Sequence, residues 1–167
     1  MPDMDPANLR LAPASAYWDD VHLGYVSFRT PITIEDDSKE VELMAGQEGD
    51  SPVDSVLTGH RCTVTVPLAE VTAEKLAIAI PNAVIAGSTV TIKNRAGQRQ
   101  RALAKELRIV LIIEGDESTD PGDIFVFPEA SPKAGVITQS FGQEQQELAV
   151  KFTVWPDPTT KVFYSVG

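Results

Sequence analysis

The chain has 167 residues, 43% of them apolar, which suits one domain with its own hydrophobic core and argues against disorder along its length. Its formal charge of −10 excludes nucleic-acid binding through overall field. No apolar run approaches the roughly 18 residues of a membrane-spanning helix, and the acidic start Met1-Pro2-Asp3-Met4-Asp5 lacks the pattern of a secretory signal, so cytosolic synthesis without a membrane partner is expected.

Taken in chain order, residues 1–20 read as an irregular N-terminal arm. Pro2, Pro6 and Pro13 interrupt it, while Tyr17 and Trp18 at its end are large for a free tail and favour docking. Residues 21–167 then read as one β domain. His22–Phe28 is a strand, continued by Pro31–Ile34, and Lys39–Met44 alternates again. Residues 45–52 form a polar, glycine-rich loop, Val53–Leu57 follows, and Thr58-Gly59 signals a turn before the alternating strand Cys62–Val66.

One short helix is predicted over residues 72–80. Thr72 is its N-cap, Glu74 lies in the first turn, and Pro81 stops it. Ala73, Leu76, Ala77 and Ile80 make its apolar face. At two to three turns it must pack on a sheet. Ser88–Lys93 is a strand and Asn94–Gln98 a turn. Ala102–Ile113 begins with helix formers and ends in a β-branched run, which favours a strand. An acidic loop, Glu114–Gly122, precedes a strand Asp123–Phe127 that ends before Pro128. Gly135–Phe141 and Glu147–Trp155 read as a strand pair, and Val162–Val166 as the last strand. Many short strands between turn signals indicate a mainly β sandwich or barrel with one flanking helix and a long hairpin loop.

Chemistry finds little to use. Asp54, Ser55 and His60 are close in sequence, which is not the geometry of a triad, and no Gly-x-Ser-x-Gly elbow occurs, so no catalytic residue and no enzyme activity are expected. One cysteine with two separated histidines matches no zinc spacing. Asp116–Asp123 could offer oxygens to calcium but lacks the spacing of a calcium loop and reads as a solvated acidic turn. No cofactor or metal is expected. Cys62, inside an alternating apolar run, reads as a small buried hydrophobe.

The charge is unevenly spread. Residues 1–60 hold 12 acids and 3 bases, residues 61–112 hold 3 acids and 8 bases, and residues 113–167 hold 9 acids and 3 bases. Two readings are open: a solubilising surface, or self-association between opposite patches. Lys93, Arg95, Arg99, Arg101, Lys105 and Arg108 form the basic cluster. No aromatic is interleaved for stacking bases, so an acidic surface on a sister subunit is preferred to nucleic acid as its partner.

Thr58–Leu76, closing at Ile80-Pro81, resembles a passage of bacteriophage tail tube proteins. A strand opens after Thr-Gly, alternates as Val64-Thr65-Val66, and passes through Pro67-Leu68-Ala69-Glu70-Val71-Thr72 into a short helix. Phe125–Ala130 and Gln145–Phe152 resemble the family's C-terminal half. The resemblance covers roughly residues 20–167. It implies a self-assembling structural subunit of the virion tail, made in the host cytoplasm. Homohexameric rings stack into a tube, with a sheath, a tail terminator or baseplate proteins as further partners. Double-stranded DNA passes through the lumen without specific binding. Residues 36–52 become the candidate inter-ring loop, with Glu40, Glu42, Leu43, Met44, Glu48 and Asp50 as its contact residues. The competing readings are a β-sandwich module binding carbohydrate or another virion protein, with Tyr25, Phe28, Trp155 and Tyr164 as its aromatics, and, more remotely, a hydrolase.

Overall fold

The computed structural model describes residues 13–25, 31–44, 52–68, 70–94, 96–134 and 148–167. Within them the chain is mainly β, as expected, with antiparallel pairing throughout and one α-helix. Its tightest connections are two-residue turns with left-handed backbone. Asp19 and Asp20, at φ 53° and 61°, join β1 (Ala14–Trp18) to β2 (Val21–Tyr25). Two successive positive φ values make a type I′ hairpin, whose twist matches that of the strands. Glu114 and Gly115 repeat the device between β7 (Lys105–Ile113) and the short β8 (Asp116–Glu117). Gly87-Ser88 joins β5 (Ala83–Ala86) to β6 (Thr89–Ile92). Of these strands β1, β5 and β8 were not expected, β8 lying within the predicted acidic loop Glu114–Gly122.

β1 corrects the irregular reading over Ala14–Trp18, while residues 1–12 lie outside the described residues. It lies between β2 and β7, and Ser15 and Ala16 are fully buried. Their small size reflects a strand covered on both faces. Trp18 docks, as expected of a large residue there: its Nε1 donates to the Ala130 carbonyl at 2.9 Å and its ring lies 6.1 Å from that of Phe152.

The longest strands are β3 (Thr33–Met44) and β4 (Pro52–Leu68), paired from Thr33 opposite Thr65 out to Met44 opposite Pro52. Two expectations change here. Residues 36–44 of the expected loop are strand, and Thr58-Gly59 is not a turn. Lys39 opposes Gly59 and Glu40 opposes Leu57, leaving Thr58 as the extra residue of a β-bulge. Its hydroxyl donates to the Lys39 carbonyl at 3.3 Å. The turn-forming pair therefore offsets the ladder without ending it.

β9 (Ile124–Pro132) runs on past Pro128, where the sequence predicts a stop. Against β7, Leu107 faces Phe127 and Lys105 faces Ala130, so Pro128 and Glu129 form a bulge where the missing proline N–H costs no ladder bond. The other edge of β9 is shared. Phe125 and Val126 pair with β11 (Ser165–Val166), and Ala130–Pro132 pair with β10 (Leu148–Val154). The strand order is β2-β1-β7-β9-β10-β4-β3. β10 is the clearest match to expectation, with Leu148, Val150, Phe152 and Val154 all buried. The expected strand at residues 135–141 lies outside the described residues.

Both ends of this order feed one core. Ala16 and Leu23 come from one end, Cys62, Val64 and Val66 from the other, and they cluster with Leu107, Phe127, Val150 and Phe152. A sheet whose two ends share a core must curl over on itself, which is the sandwich-like arrangement the strand spacing predicts. Each large side chain so buried contributes about 1.5–3 kcal/mol.

The helix α1 (Ala73–Ala79) packs against this core through Leu76, Ile78 and Ala79. Thr72 caps it, its hydroxyl accepting from the Lys75 N–H at 3.3 Å. The buried stripe differs from the predicted one: Lys75 and Ala79 are buried, while Ala73 and Ala77 are only half-buried. Lys75 can face inward because its ammonium donates to Glu70 at 2.6 Å, and its stem lies over Gly24. Gly24 has φ +102° and belongs to the bulge that leaves Leu23 unopposed in the β1–β2 ladder. A Cβ there would meet the Lys75 Nζ at 2.9 Å. Gly24→Ala is therefore expected to destabilise the fold by about 2 kcal/mol through backbone strain and displacement of Lys75. Urea denaturation checks this, and an unchanged midpoint would contradict it.

Candidate functional site

Strands β3 and β4 serve two purposes along one ladder. Near the body, Val64 opposes Ile34, and both belong to the core or pack on it. Further out, residues 35–43 and 54–61 are all exposed. The hairpin thus leaves the body as a two-stranded ribbon with no covering layer among the described residues, a form that is only marginally stable in water on its own. It carries apolar side chains regardless. Val41 opposes Val56, and Leu43 lies two residues along on the same face. Leu57, 72% exposed, shares the other face with Glu40, Glu42 and Ser55. The Ser55 hydroxyl donates diagonally to Glu40 at 3.3 Å.

The root of the ribbon is fastened to the C-terminal segment. His60 Nε2 meets the Asp36 carboxylate, whose other oxygen accepts from the Tyr164 hydroxyl at 3.4 Å. The His60 ring lies 4.6 Å from that of Phe163, and Tyr164 packs 5.2 Å from Phe127. The ribbon is thereby oriented by the core.

The expected inter-ring residues divide accordingly. Glu40, Glu42 and Leu43 lie exposed on β3, Met44 ends that strand, and Glu48 and Asp50 fall outside the described residues. Sequence reading took Leu43 and Met44 as the sizeable apolar groups of residues 36–52 and passed over Val41. The bulge puts Val56 and Leu57 on the same ribbon, which the expected Thr58-Gly59 turn would have prevented.

The basic cluster does not stay together as one free patch. Arg101 donates to Glu129 at 2.9 Å and to the Pro156 carbonyl at 2.8 Å, bracing β9 against the exit of β10. Lys105 lies 3.3 Å from Asp19, and the Arg108 guanidinium sits 5.1 Å over the Tyr17 ring. Lys93 and Arg99 are exposed and have no ion pair among the described residues, and Arg95 lies outside them. Lys93 directly follows the β5–β6 hairpin, whose register puts Ala83, Ile85, Val90 and Ile92 on one face. Ile85 and Ile92 are exposed there, the latter at 64%. Sequence reading missed this second apolar surface, since isolated isoleucines in a short β run read as core.

Catalytic geometry does not assemble around the nucleophiles singled out in the sequence. Ser55 and His60 are five residues apart on one extended strand, about 16 Å, and His60 engages Asp36 on the neighbouring strand. Cys62 is fully buried, and burial, assisted by the Asp36 charge, pushes its thiol up to about 11. That shift is opposite to the one that activates a cysteine. In the acidic turn, Ser118 donates to Asp123 at 2.7 Å and Asp120 accepts from the Gly122 N–H at 2.9 Å. The Tyr17 hydroxyl bonds Glu117 and holds its carboxyl below the usual carboxylate range. Among the described residues no group of three or more His, Cys, Asp or Glu side chains converges as metal ligands. Among the described residues no helix is long and apolar enough to cross a membrane.

No protein-family model matches the chain, and no curated protein matches it significantly.

The burial of Cys62 is directly measurable. Its thiol should react with a disulfide reagent at neutral pH far more slowly in the folded protein than in denaturant. Equal rates in the two states would contradict the packing of β4.

Proposed function

We propose that this chain is a self-assembling structural subunit that forms hexameric rings stacked into a phage tail tube, through which double-stranded DNA passes during ejection. The observation that carries the reading is the β3–β4 ribbon, which exposes Val41, Leu43, Val56 and Leu57 on an arm held by a well-packed body. A projection of this kind gains its stability from a neighbour that covers it.

The sheet supports the ring. β2 and β3 are its terminal strands, each paired with one neighbour among the described residues, and free edges invite pairing with another chain. Joining one edge to the other type of edge on the next subunit gives a head-to-tail contact that can close into a ring. The net charge of −10 suits a wall past which phosphates slide without adhering. The resemblance of residues 58–81 to tail tube proteins supplies the particular assembly. The competing binding module has less to work with: Trp155 donates to Ser131 at 2.9 Å and Tyr164 packs on Phe127, so neither stands free as a platform for a sugar.

Negative-stain microscopy over a wide range of protein concentration should show rings or tubes, and monodisperse monomers throughout would contradict the reading. The ribbon can be removed cleanly because Ser38 directly opposes His60. Replacing residues 39–59 with Asn-Gly gives a two-residue hairpin at that pair. The variant should keep the β circular dichroism of the parent and fail to stack. Loss of the fold, or normal tubes, would contradict the assignment of the ribbon.

A further inference from the structure

We propose that the apolar face of the β3–β4 ribbon docks on the β5–β6 hairpin of a second copy of this chain, with ribbon acids meeting Lys93 and Arg99 at the rim. The inference rests on the self-assembly reading and adds to it the surface that receives the arm.

Both surfaces are two-stranded hairpins with one defined apolar face. On the ribbon that face carries Val41, Leu43 and Val56, and on the receiving hairpin it carries Ala83, Ile85, Val90 and Ile92. Among the described residues the two do not pack on each other, and Val41, Leu43, Val56, Ile85 and Ile92 remain exposed. Laying one apolar face on the other removes both from water, which is the dominant favourable term in association.

Charge selects this pairing over ribbon against ribbon. Residues 33–61 hold 8 acids and 2 bases, while residues 83–99 hold 3 bases and no acid. Two ribbons brought together would repel, whereas ribbon and hairpin attract and are steered into register. The remaining bases offer no equal alternative. Arg101 is committed to Glu129, Lys105 to Asp19 and Arg108 to the Tyr17 ring, whereas Lys93, which directly follows β6, and Arg99 are exposed and have no ion pair among the described residues. On the ribbon, Asp54 shares the face of Val41 and Leu43, and Glu42, between those two on the edge strand β3, belongs to the opposite face.

Charge exchange tests the contact. Assembly is followed by light scattering against concentration for wild type, E42K/D54K, K93E/R99E and the quadruple variant, each first checked for native circular dichroism. Each double variant should raise the assembly threshold about tenfold or more, and the quadruple variant, with the charges exchanged, should return near wild type. If wild type never assembles, the self-assembly reading fails and this contact with it. If wild type assembles but K93E/R99E matches it, or the quadruple variant is no better than the worse double, the docking is overturned while assembly stands. Cross-linking decides the matter should a charge variant not fold. Val56→Cys and Ile92→Cys proteins, mixed and mildly oxidised, should give a mixed disulfide dimer. Only Val56→Cys homodimers, or no cross-link, would overturn the proposal.

Discussion

The β3–β4 ladder is the interaction on which the rest of the molecule depends. Its inner half is held on both sides: Leu148–Val154 pair along one edge of β4, and Cys62, Val64 and Val66 point into the core. Among the described residues its outer half has only itself. Because one ladder, offset but not ended by the bulge at Thr58, spans both, the packing of the core sets the direction of the exposed arm. The bulge at Thr58 and the fastening of Asp36 by His60 and Tyr164 lie where the two halves meet. They govern how the arm leaves the body without breaking the chain of hydrogen bonds.

This division explains why the surface is arranged as it is. An unlayered ribbon has half of its side chains' natural partners missing, and Val41, Leu43, Val56 and Leu57 remain in water until something covers them. Acids around them oppose pairing of two ribbons, as charged edges do in many sheets. In the assembly proposed above the same acids favour a basic acceptor, so that charge which reads as solubilising in the monomer also selects geometry. The bases in the middle of the sequence divide in the same way, some bracing the subunit and others left at its surface.

Much of the fold was legible in the sequence. β10 shows its period of two openly, because one face is buried and the other is not. The helix announced itself through Thr72 and Pro81, although its buried face did not, since no pattern of apolar residues foretells that Lys75 will lie over Gly24 with Glu70 as its partner. β1 was hidden because Ala14, Ser15 and Ala16 are small for reasons of crowding, and because Asp19-Asp20 makes its tight turn without glycine. Thr58-Gly59 and Pro128 misled for a common reason. Residues that end strands are also the residues that bulges use, and only the partner strand decides between the two. The ribbon residues were partly legible as an alternating acidic run. The apolar face of the β5–β6 hairpin was not, because exposure of Ile85 and Ile92 is a property of the packed molecule.

In the proposed assembly a neighbouring subunit completes the ribbon. Hydrogen exchange of backbone amides in residues 38–44 and 54–59, followed as a function of protein concentration, tests this most directly. These amides should exchange readily when the chain is dilute and become protected as it assembles, while β10 stays protected throughout. Ribbon exchange that remains equally fast in dilute and assembled protein would contradict it.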